Sequence, residues 1–119
     1  MFTQESATEF ARQLEEDWNS MEIGDFLSYF TDDVEFVSSN LQRFITESNG
    51  HLSSKKTLQK YWEYMRTHFP YFKYKLYETK QEGNCLHLTF FNSGENSYSR
   101  GQLWFNDQMK INKIVVSYV

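Results

Sequence analysis

The sequence predicts an α+β fold in which three helices pack on a sheet of antiparallel strands, and two observations lead to this prediction. Apolar residues recur at steps of three and four over residues 4–21 and 54–69, which is the period of an amphipathic helix. After Pro70 the period changes to two, and short polar turns separate the strands. Consecutive strands on short turns pair antiparallel, and helices segregated from such strands are typical of the α+β class.

The first helix is predicted over residues 4–21. The sequence from Ser6 to Glu9 fits a capping box at its start, although Thr3 could also cap it. Charged and polar residues fall on one side of this helix and apolar residues on the other, so one face is expected to be buried. The apolar face consists of Ala7, Phe10, Ala11, Leu14, Trp18 and Met21.

Two more helices are predicted. The second covers residues 22–30 and ends at Thr31-Asp32-Asp33, because short polar side chains compete for backbone hydrogen bonds. The third covers residues 54–69, and Pro70 stands just beyond it, where a helix must stop. Their inward faces are Ile23, Phe26, Leu27 and Phe30 in the second helix and Leu58, Tyr61, Trp62, Met65 and Phe69 in the third.

Five strands are predicted around these helices. A polar stretch from Ser38 to Ser53 follows the first strand, and loops of this length in compact domains are usually functional or mobile. Within it, Leu41, Phe44 and Ile45 could fold back as a flap or a short strand. The five strands are predicted over residues 34–37, 72–77, 85–91, 98–105 and 110–119.

Composition and charge limit the classes of protein to consider. A length of 119 residues fits one domain, residues 1–119, and an aromatic content of 18% excludes a disordered chain. The net charge of −4 argues against a nucleic-acid partner, which usually requires a basic surface. A single cysteine, Cys85, excludes an intrachain disulfide and a cysteine cluster for zinc.

The same features indicate location. The lone cysteine suits a reducing compartment. The first residues, MFTQES, do not read as a signal peptide, and no apolar run approaches the length that crosses a bilayer. We therefore expect a cytoplasmic protein without a membrane partner.

Several segments carry a resemblance to a known family. Residues 19–34 read NSMEIGDFLSYFTDDV, and later segments read LQKYW, FPYFKYKL and WFNDQMKI. This pattern resembles the nuclear transport factor 2-like (NTF2-like) superfamily and, within it, the SnoaL-like group, over nearly the whole chain. The resemblance implies a cone-shaped, cystatin-like fold, in which a curved antiparallel sheet wraps helices around a deep pocket. It also implies a frequent homodimer through the convex face of the sheet.

The resemblance implies which side chains face the pocket, and the alternation along the strands agrees with it. On the convex face it places His87, Phe91 and Trp104, and exposed rings there are a reason to expect a homodimer. The expected ligand pocket is formed by Trp18, Phe36, Tyr61, Trp62, Met65, Leu86, Leu88, Phe90, Leu103 and Tyr118.

Members of the superfamily include ketosteroid isomerase, polyketide cyclases and dehydratases, so the fold is a weak guide to function. In the register that the resemblance implies, the oxyanion tyrosine of ketosteroid isomerase falls on Leu14, its carboxylate base on Ser38 and its protonated acid on Gly101. The acidic residue that many SnoaL-like proteins carry on the penultimate strand also falls on Gly101. A ketosteroid isomerase mechanism is therefore not expected.

The sequence offers other residues with side chains suited to catalysis. His51 in the polar stretch and Tyr118 on the last strand are the candidate catalytic residues, because a loop over the mouth could carry a base and an inward hydroxyl could serve it. The three histidines do not share the spacing of metal ligands, so no metal and no cofactor is predicted. Asp32 and Asp33 are explained as a helix stop and strand start, and Cys85 as a small buried or interface residue.

Three functions remain open from the sequence. The favoured one is a homodimeric protein that binds an unknown small apolar or aromatic molecule, because the pocket is aromatic and a known acid/base set is missing. The second is an isomerase, cyclase or dehydratase with a non-standard set such as His51 with Tyr118. The third is a protein-interaction module, which the outward Phe91 and Trp104 and the segment Phe44-Ile45 would serve. Whether the protein is an enzyme stays open.

Overall fold

The computed structural model describes residues 2–20, 23–38, 41, 45 and 48–118, and the predicted α+β class is confirmed. Three helices pack on one curved six-stranded sheet, whose strand order is β2-β1-β6-β5-β4-β3. The helices are α1 (Gln4–Asn19), α2 (Ile23–Leu27) and α3 (Lys55–His68). The strands are β1 (Phe30–Ser38), β2 (His51–Leu52), β3 (Tyr74–Glu82), β4 (Cys85–Asn92), β5 (Ser97–Phe105) and β6 (Ile111–Tyr118). Within the described ranges, no helix is long and apolar enough to cross a membrane.

Capping side chains fix where the two long helices begin. Thr3 caps α1, and its hydroxyl accepts a hydrogen bond from the Ser6 amide at 3.0 Å while the Thr3 amide donates to the Ser6 hydroxyl at 2.8 Å. This is a capping box that starts at Thr3 and not at Ser6. Ser54 caps α3, where its hydroxyl accepts from the Thr57 amide at 3.1 Å. Met21, which was predicted on the apolar face of the first helix, lies outside the described residues.

The sheet is mixed, which corrects the prediction of a wholly antiparallel sheet. Consecutive strands from β3 to β6 pair antiparallel, as their short turns predict, but β1 pairs with β6 in parallel. No hairpin joins these two strands, since the chain passes through β2 to β5 before it returns. Turn length therefore predicts nothing about their relative direction.

Strand β1 is longer than predicted, and α2 is shorter. The polar residues Thr31, Asp32 and Asp33 lie inside β1 and do not form a helix stop. They occupy the segment where the pairing with β6 shifts register, between the pairs Phe30–Ile111 and Glu35–Lys113. An irregular segment of this kind tolerates polar residues that a regular central strand would exclude.

Part of the polar stretch packs on the core. Leu41 is fully buried, and Ile45 is half-buried against the same apolar cluster, while Phe44 lies outside the described residues. The stretch rejoins the sheet at Gly50, whose φ of 78° suits glycine and whose carbonyl accepts from the Ser38 amide at 2.9 Å. The short strand β2 follows immediately.

Helix α1 covers the outer edge of β3, which is the last strand of the sheet on that side. The Glu15 carboxylate accepts a hydrogen bond from the Leu76 amide. Asn19 donates to the Tyr74 carbonyl at 2.7 Å and accepts from the Tyr74 amide at 3.1 Å. Gln4 donates to the Thr79 carbonyl at 2.9 Å. Side chains of one helix thus satisfy backbone groups that would otherwise form an open edge.

The Glu15 contact predicts a measurable loss of stability when its carboxylate is removed. Glu15→Ala leaves the Leu76 amide without its charged acceptor, and we expect the free energy of unfolding in urea to fall by about 1–3 kcal/mol. The matched control is Glu16→Ala in the same helix, whose exposed side chain should change it by less than about 0.5 kcal/mol. Equal effects of the two substitutions would contradict the role given to Glu15.

Candidate ligand cavity

A cavity of about 150 Å³ lies between α1, α3 and the inner face of the sheet. Among the described residues, 26 line it, of which 11 carry aromatic rings and three are charged. Strands β4, β5 and β6 contribute alternate residues to it, which defines their inner face. The cavity is therefore the concave side of the curved sheet, closed by two helices.

The structure brings nine of the ten predicted pocket residues together around this cavity. They are Trp18, Phe36, Tyr61, Trp62, Met65, Leu88, Phe90, Leu103 and Tyr118. The exception is Leu86, which the prediction placed in the pocket but which is not part of the lining. Its side chain is fully enclosed in the core and has no surface left to offer a ligand.

Trp62 is the centre of the aromatic wall. Its ring lies 4.6 Å from that of Phe26, 5.3 Å from Phe30, 5.6 Å from Trp18 and 6.1 Å from Phe36, measured between centroids. Most of these pairs meet edge to face, the arrangement that aromatic quadrupoles favour. Five rings contributed by three helices and one strand thus form a single packed unit at the cavity.

Arg66 closes the end of α1. Its Nη1 donates to the Trp18 carbonyl at 3.2 Å, and its guanidinium lies 5.5 Å from the centroid of the Trp18 ring. Lys73 donates to the Asn19 carbonyl at 3.1 Å. The last turn of α1 carries no basic residue of its own, so these two cations supply the positive charge that a helix C-terminus favours.

A turn and a loop form the rim of the cavity. Asn92 donates to the Glu95 carboxylate at 3.2 Å and accepts from the Gly94 amide at 2.9 Å, which places Glu95 in the lining. The Ser93 amide donates to the Lys73 carbonyl at 3.0 Å. A Cβ at Gly94 would lie 2.8 Å from the backbone oxygen of Tyr71, so the loop and the turn touch at a position that requires glycine.

Three tyrosines, together with Ser97 and Ser99, give the described lining its hydroxyl groups. Tyr118 Oη lies 3.4 Å from the Ser38 hydroxyl, while Tyr61 and Tyr74 are the other two tyrosines of the lining. Burial raises the pKa of the Tyr74 phenol far above its usual range, and Tyr118, Tyr61 and Glu95 raise it further. Tyr74 is therefore neutral at physiological pH and can donate a hydrogen bond.

The structure does not bring His51 and Tyr118 together. His51 is the register partner of Val37 on β1, so it points to the face opposite to that of Phe36, which lines the cavity. Its Nε2 lies 3.9 Å from the Glu35 carboxylate, and about half of its side chain is exposed. Tyr118 lies at the cavity, where its nearest polar partner is Ser38.

The remaining candidates stay outside the cavity. Burial raises the pKa of the Cys85 thiol, and Glu82 raises it further, so this cysteine is not an activated nucleophile. Among the described residues, no three histidine, cysteine, aspartate or glutamate side chains cluster as metal ligands do.

Sequence reasoning missed seven polar residues of the described lining: Glu15, Arg66, Tyr74, Asn92, Glu95, Ser97 and Ser99. The period of two that places Phe72, Tyr74 and Leu76 on one face was a sufficient signal for Tyr74. Glu95 stands in a turn, where no periodicity applies, so the sequence held no signal for it.

Comparison with solved structures assigns the fold. A SnoaL-like protein of unknown function from Burkholderia thailandensis superimposes with a TM-score of 0.91 at 19% identity, covering 100% of this chain and 99% of the other. An NTF2-like protein of unknown function from Cytophaga hutchinsonii gives 0.73 at 16% identity, with coverage of 100% and 95%. TerC, co-crystallized with polyporic acid, gives 0.75 at 12% identity, with coverage of 95% and 91%.

The chain has the NTF2-like fold of the SnoaL-like proteins. The resemblance read from the sequence is thus confirmed for the fold. No protein-family model matches the sequence, and no curated protein matches it significantly. Function must therefore be argued from the residues at the site.

The outer face of this NTF2-like sheet carries the three residues predicted for a dimer contact. Phe91 packs on Tyr98 with centroids 5.0 Å apart, and Lys113 Nζ lies 5.5 Å from the centroid of the Trp104 ring. His87 lies 3.3 Å from the Glu82 carboxylate. All three point away from the cavity, because their neighbours in sequence on β4 and β5 line it.

The SnoaL-like resemblance implies an acidic residue at position 101, where this chain has Gly101. The structure shows which neighbouring side chain lies in the space beside this glycine. Gly101 lines the cavity on β5, and a Cβ built on it would lie 3.3 Å from Cζ of Phe90. The ring of Phe90 therefore fills the space that a side chain at 101 would need. Position 101 has no acidic side chain, and the large ring of Phe90 lies where such a side chain would begin.

This coupling predicts non-additive effects of substitution. Gly101→Ala should lower the free energy of unfolding in urea by about 1 kcal/mol, because the new methyl group crowds Phe90. Combined with Phe90→Leu, the loss should be smaller than the sum of the two single losses by about 0.5–1 kcal/mol. Gly24→Ala is the control, since a Cβ there meets nothing within 4 Å. Strict additivity would contradict the coupling.

Proposed function

We propose that this protein binds a small apolar or aromatic molecule in the cavity and that it acts as a homodimer. One observation carries the proposal of binding: a concave space of about 150 Å³, open to solvent at its rim, is lined by aromatic rings and a few polar groups. Such concave, mostly apolar sites are the usual places for small ligands.

The lining keeps apolar surface in contact with water. Trp18, Met65, Tyr74 and Phe90 belong to the lining but are only half-buried, whereas Leu58 and Leu86 of the core are fully buried. Covering half-buried apolar groups with a ligand removes that surface from water and is favourable. TerC, which shares the fold, was co-crystallized with polyporic acid, which supports binding of a small molecule as a use of this architecture.

Catalysis has less support than binding. The pair proposed from the sequence, His51 and Tyr118, is separated because His51 points to the outer face. The Tyr118 hydroxyl has the Ser38 hydroxyl as its hydrogen-bonding neighbour, and a serine hydroxyl does not serve as a general base. The SnoaL-like acid position holds Gly101. We therefore favour a binding role over isomerase, cyclase or dehydratase activity.

The homodimer is proposed from the outer face of the sheet. Tyr98 lies between Tyr77 and Phe91, at 5.7 Å and 5.0 Å between ring centroids, and Trp104 lies further along the same strand. Tyr77 and Tyr98 are 71% and 42% exposed. Rings grouped on one face of a sheet are typical of the centre of a protein interface, where aromatic residues are enriched. A second copy presents the same surface, as a two-fold interface requires.

Toluene tests the cavity, because it is a neutral probe of one ring. We expect toluene to change the emission of Trp18 and Trp62 in a saturable manner, and Trp104→Phe, which removes the outer tryptophan, to leave that change intact. Ser99→Leu places an apolar side chain into the lining and should weaken binding about tenfold, or 1.4 kcal/mol. Ser117→Leu, on the outer face of β6, is the matched control. Equal loss in both leucine variants, or no saturable binding by the folded wild type, would count against the cavity.

The dimer has its own test. Multi-angle light scattering after gel filtration should give twice the mass of 14.3 kDa for the wild type. Phe91→Glu places a charge within the proposed interface and should raise the dissociation constant by at least about tenfold. Tyr64→Glu is the control, because Tyr64 is 44% exposed on α3. A monomeric wild type at high concentration would refute the homodimer.

A further inference from the structure

Tyr74 presents a fixed hydroxyl group to the cavity. Both of its backbone polar groups are held by Asn19, and its ring lies 5.7 Å from Trp18 and 5.7 Å from Phe90 between centroids. The phenol therefore has little freedom to turn away. Within the part of the chain that the structure describes, the Tyr74 hydroxyl forms no hydrogen bond, although the backbone of the same residue forms two.

This hydroxyl oxygen is not fully buried, so water in the cavity can reach it. A ligand that fills the cavity displaces that water and must supply an acceptor in its place, because a donor covered without a partner is costly. Tyr61 and Tyr118 belong to the same lining and are within electrostatic range of Tyr74. The polar groups of the cavity are therefore concentrated around one phenol.

The charges around Tyr74 decide what kind of acceptor fits. Glu95 lies within electrostatic range of the phenol, and its carboxylate repels a ligand anion. Arg66 supplies the positive charge among the described lining residues, but its guanidinium is bonded to the Trp18 carbonyl and lies over the Trp18 ring. Because the Glu95 carboxylate disfavours an anion beside the phenol, the acceptor that suits Tyr74 is an uncharged oxygen such as a carbonyl group.

The size of the cavity limits the rest of the ligand. A volume of about 150 Å³ matches that of an engineered apolar cavity known to hold benzene. One aromatic ring therefore fits the space between Trp18, Trp62 and Phe90. A fused polycyclic skeleton exceeds that volume and would have to extend through the mouth of the cavity into solvent.

We propose that the cavity takes a single-ring aromatic compound with one uncharged oxygen acceptor, an aryl ketone or aldehyde, and that Tyr74 Oη donates the hydrogen bond to that oxygen. This inference rests on the proposed binding function and adds the chemical class of the ligand. It assigns to Tyr74 the role of a specificity-determining residue.

Two probes of nearly equal shape test it. Acetophenone carries the carbonyl oxygen, and α-methylstyrene carries a methylene group in its place. By isothermal titration calorimetry, Tyr74→Phe should weaken acetophenone binding about fivefold, the effect of one neutral hydrogen bond, and should leave α-methylstyrene binding unchanged. Tyr77→Phe is the matched control, because Tyr77 is 71% exposed on the outer face. Benzoate and benzylammonium should bind the wild type more weakly than acetophenone.

A second measurement needs no variant. When acetophenone binds to the wild type, its carbonyl stretching band should shift to lower frequency, as hydrogen bonding requires, and in a folded Tyr74→Phe variant the shift should vanish. Equal losses for both probes in Tyr74→Phe, an unshifted carbonyl band, or a preference for either charged probe would overturn the assignment while leaving the cavity as a binding site. Failure of both acetophenone and α-methylstyrene to bind the folded wild type would instead refute the proposed function itself.

Discussion

Strand β3 stands at the edge of the sheet, and α1 turns that edge into an internal surface. Side chains of α1 bond to the backbone of β3, Glu15 to Leu76 and Asn19 to Tyr74. These contacts fix the position of the helix along the strand. Arg66 and Lys73 then bond to the last carbonyls of the same helix. The position of Trp18, and with it one wall of the cavity, follows from these contacts. Asn19 bonds to both backbone polar groups of Tyr74, so the same contacts also orient its phenol.

The aromatic rings that form the packed core also line the cavity. Trp62 contacts four other aromatic residues, and this packed unit excludes water from most of the interior. Phe90 occupies the space beside Gly101, and Asn92, Glu95 and the contact of Gly94 with Tyr71 form the rim of the cavity. The interior therefore combines a packed aromatic wall with a polar rim, and the charged residues of the described lining are Glu15, Arg66 and Glu95.

Local patterns in the sequence predicted the parts of this structure that depend on local physics. The apolar period predicted both long helices and the inward positions of Trp18, Trp62 and Met65, because side-chain direction follows directly from residue spacing. The parallel pairing of β1 with β6 could not be predicted from local patterns, because all the other strands of the sheet lie between these two in the sequence. Thr31 to Asp33 resemble a helix stop, and only the register shift beside β6 explains how a strand accepts them. Glu95 reaches the cavity through a turn whose geometry depends on Asn92 and on the contact of Gly94 with Tyr71.

The place of β6 between β1 and β5 has a consequence for synthesis on the ribosome. Ser38 and Tyr118 meet across 80 positions of sequence at the cavity, and the strand that carries Tyr118 joins the two halves of the sheet. A nascent chain that has emerged only as far as β5 contains the antiparallel hairpins and all three helices, yet β1 has no neighbour on that side. Contacts of this separation form late and slowly. The cavity is thus the last feature to be completed, and a chain without β6 leaves the sheet open between β1 and β5.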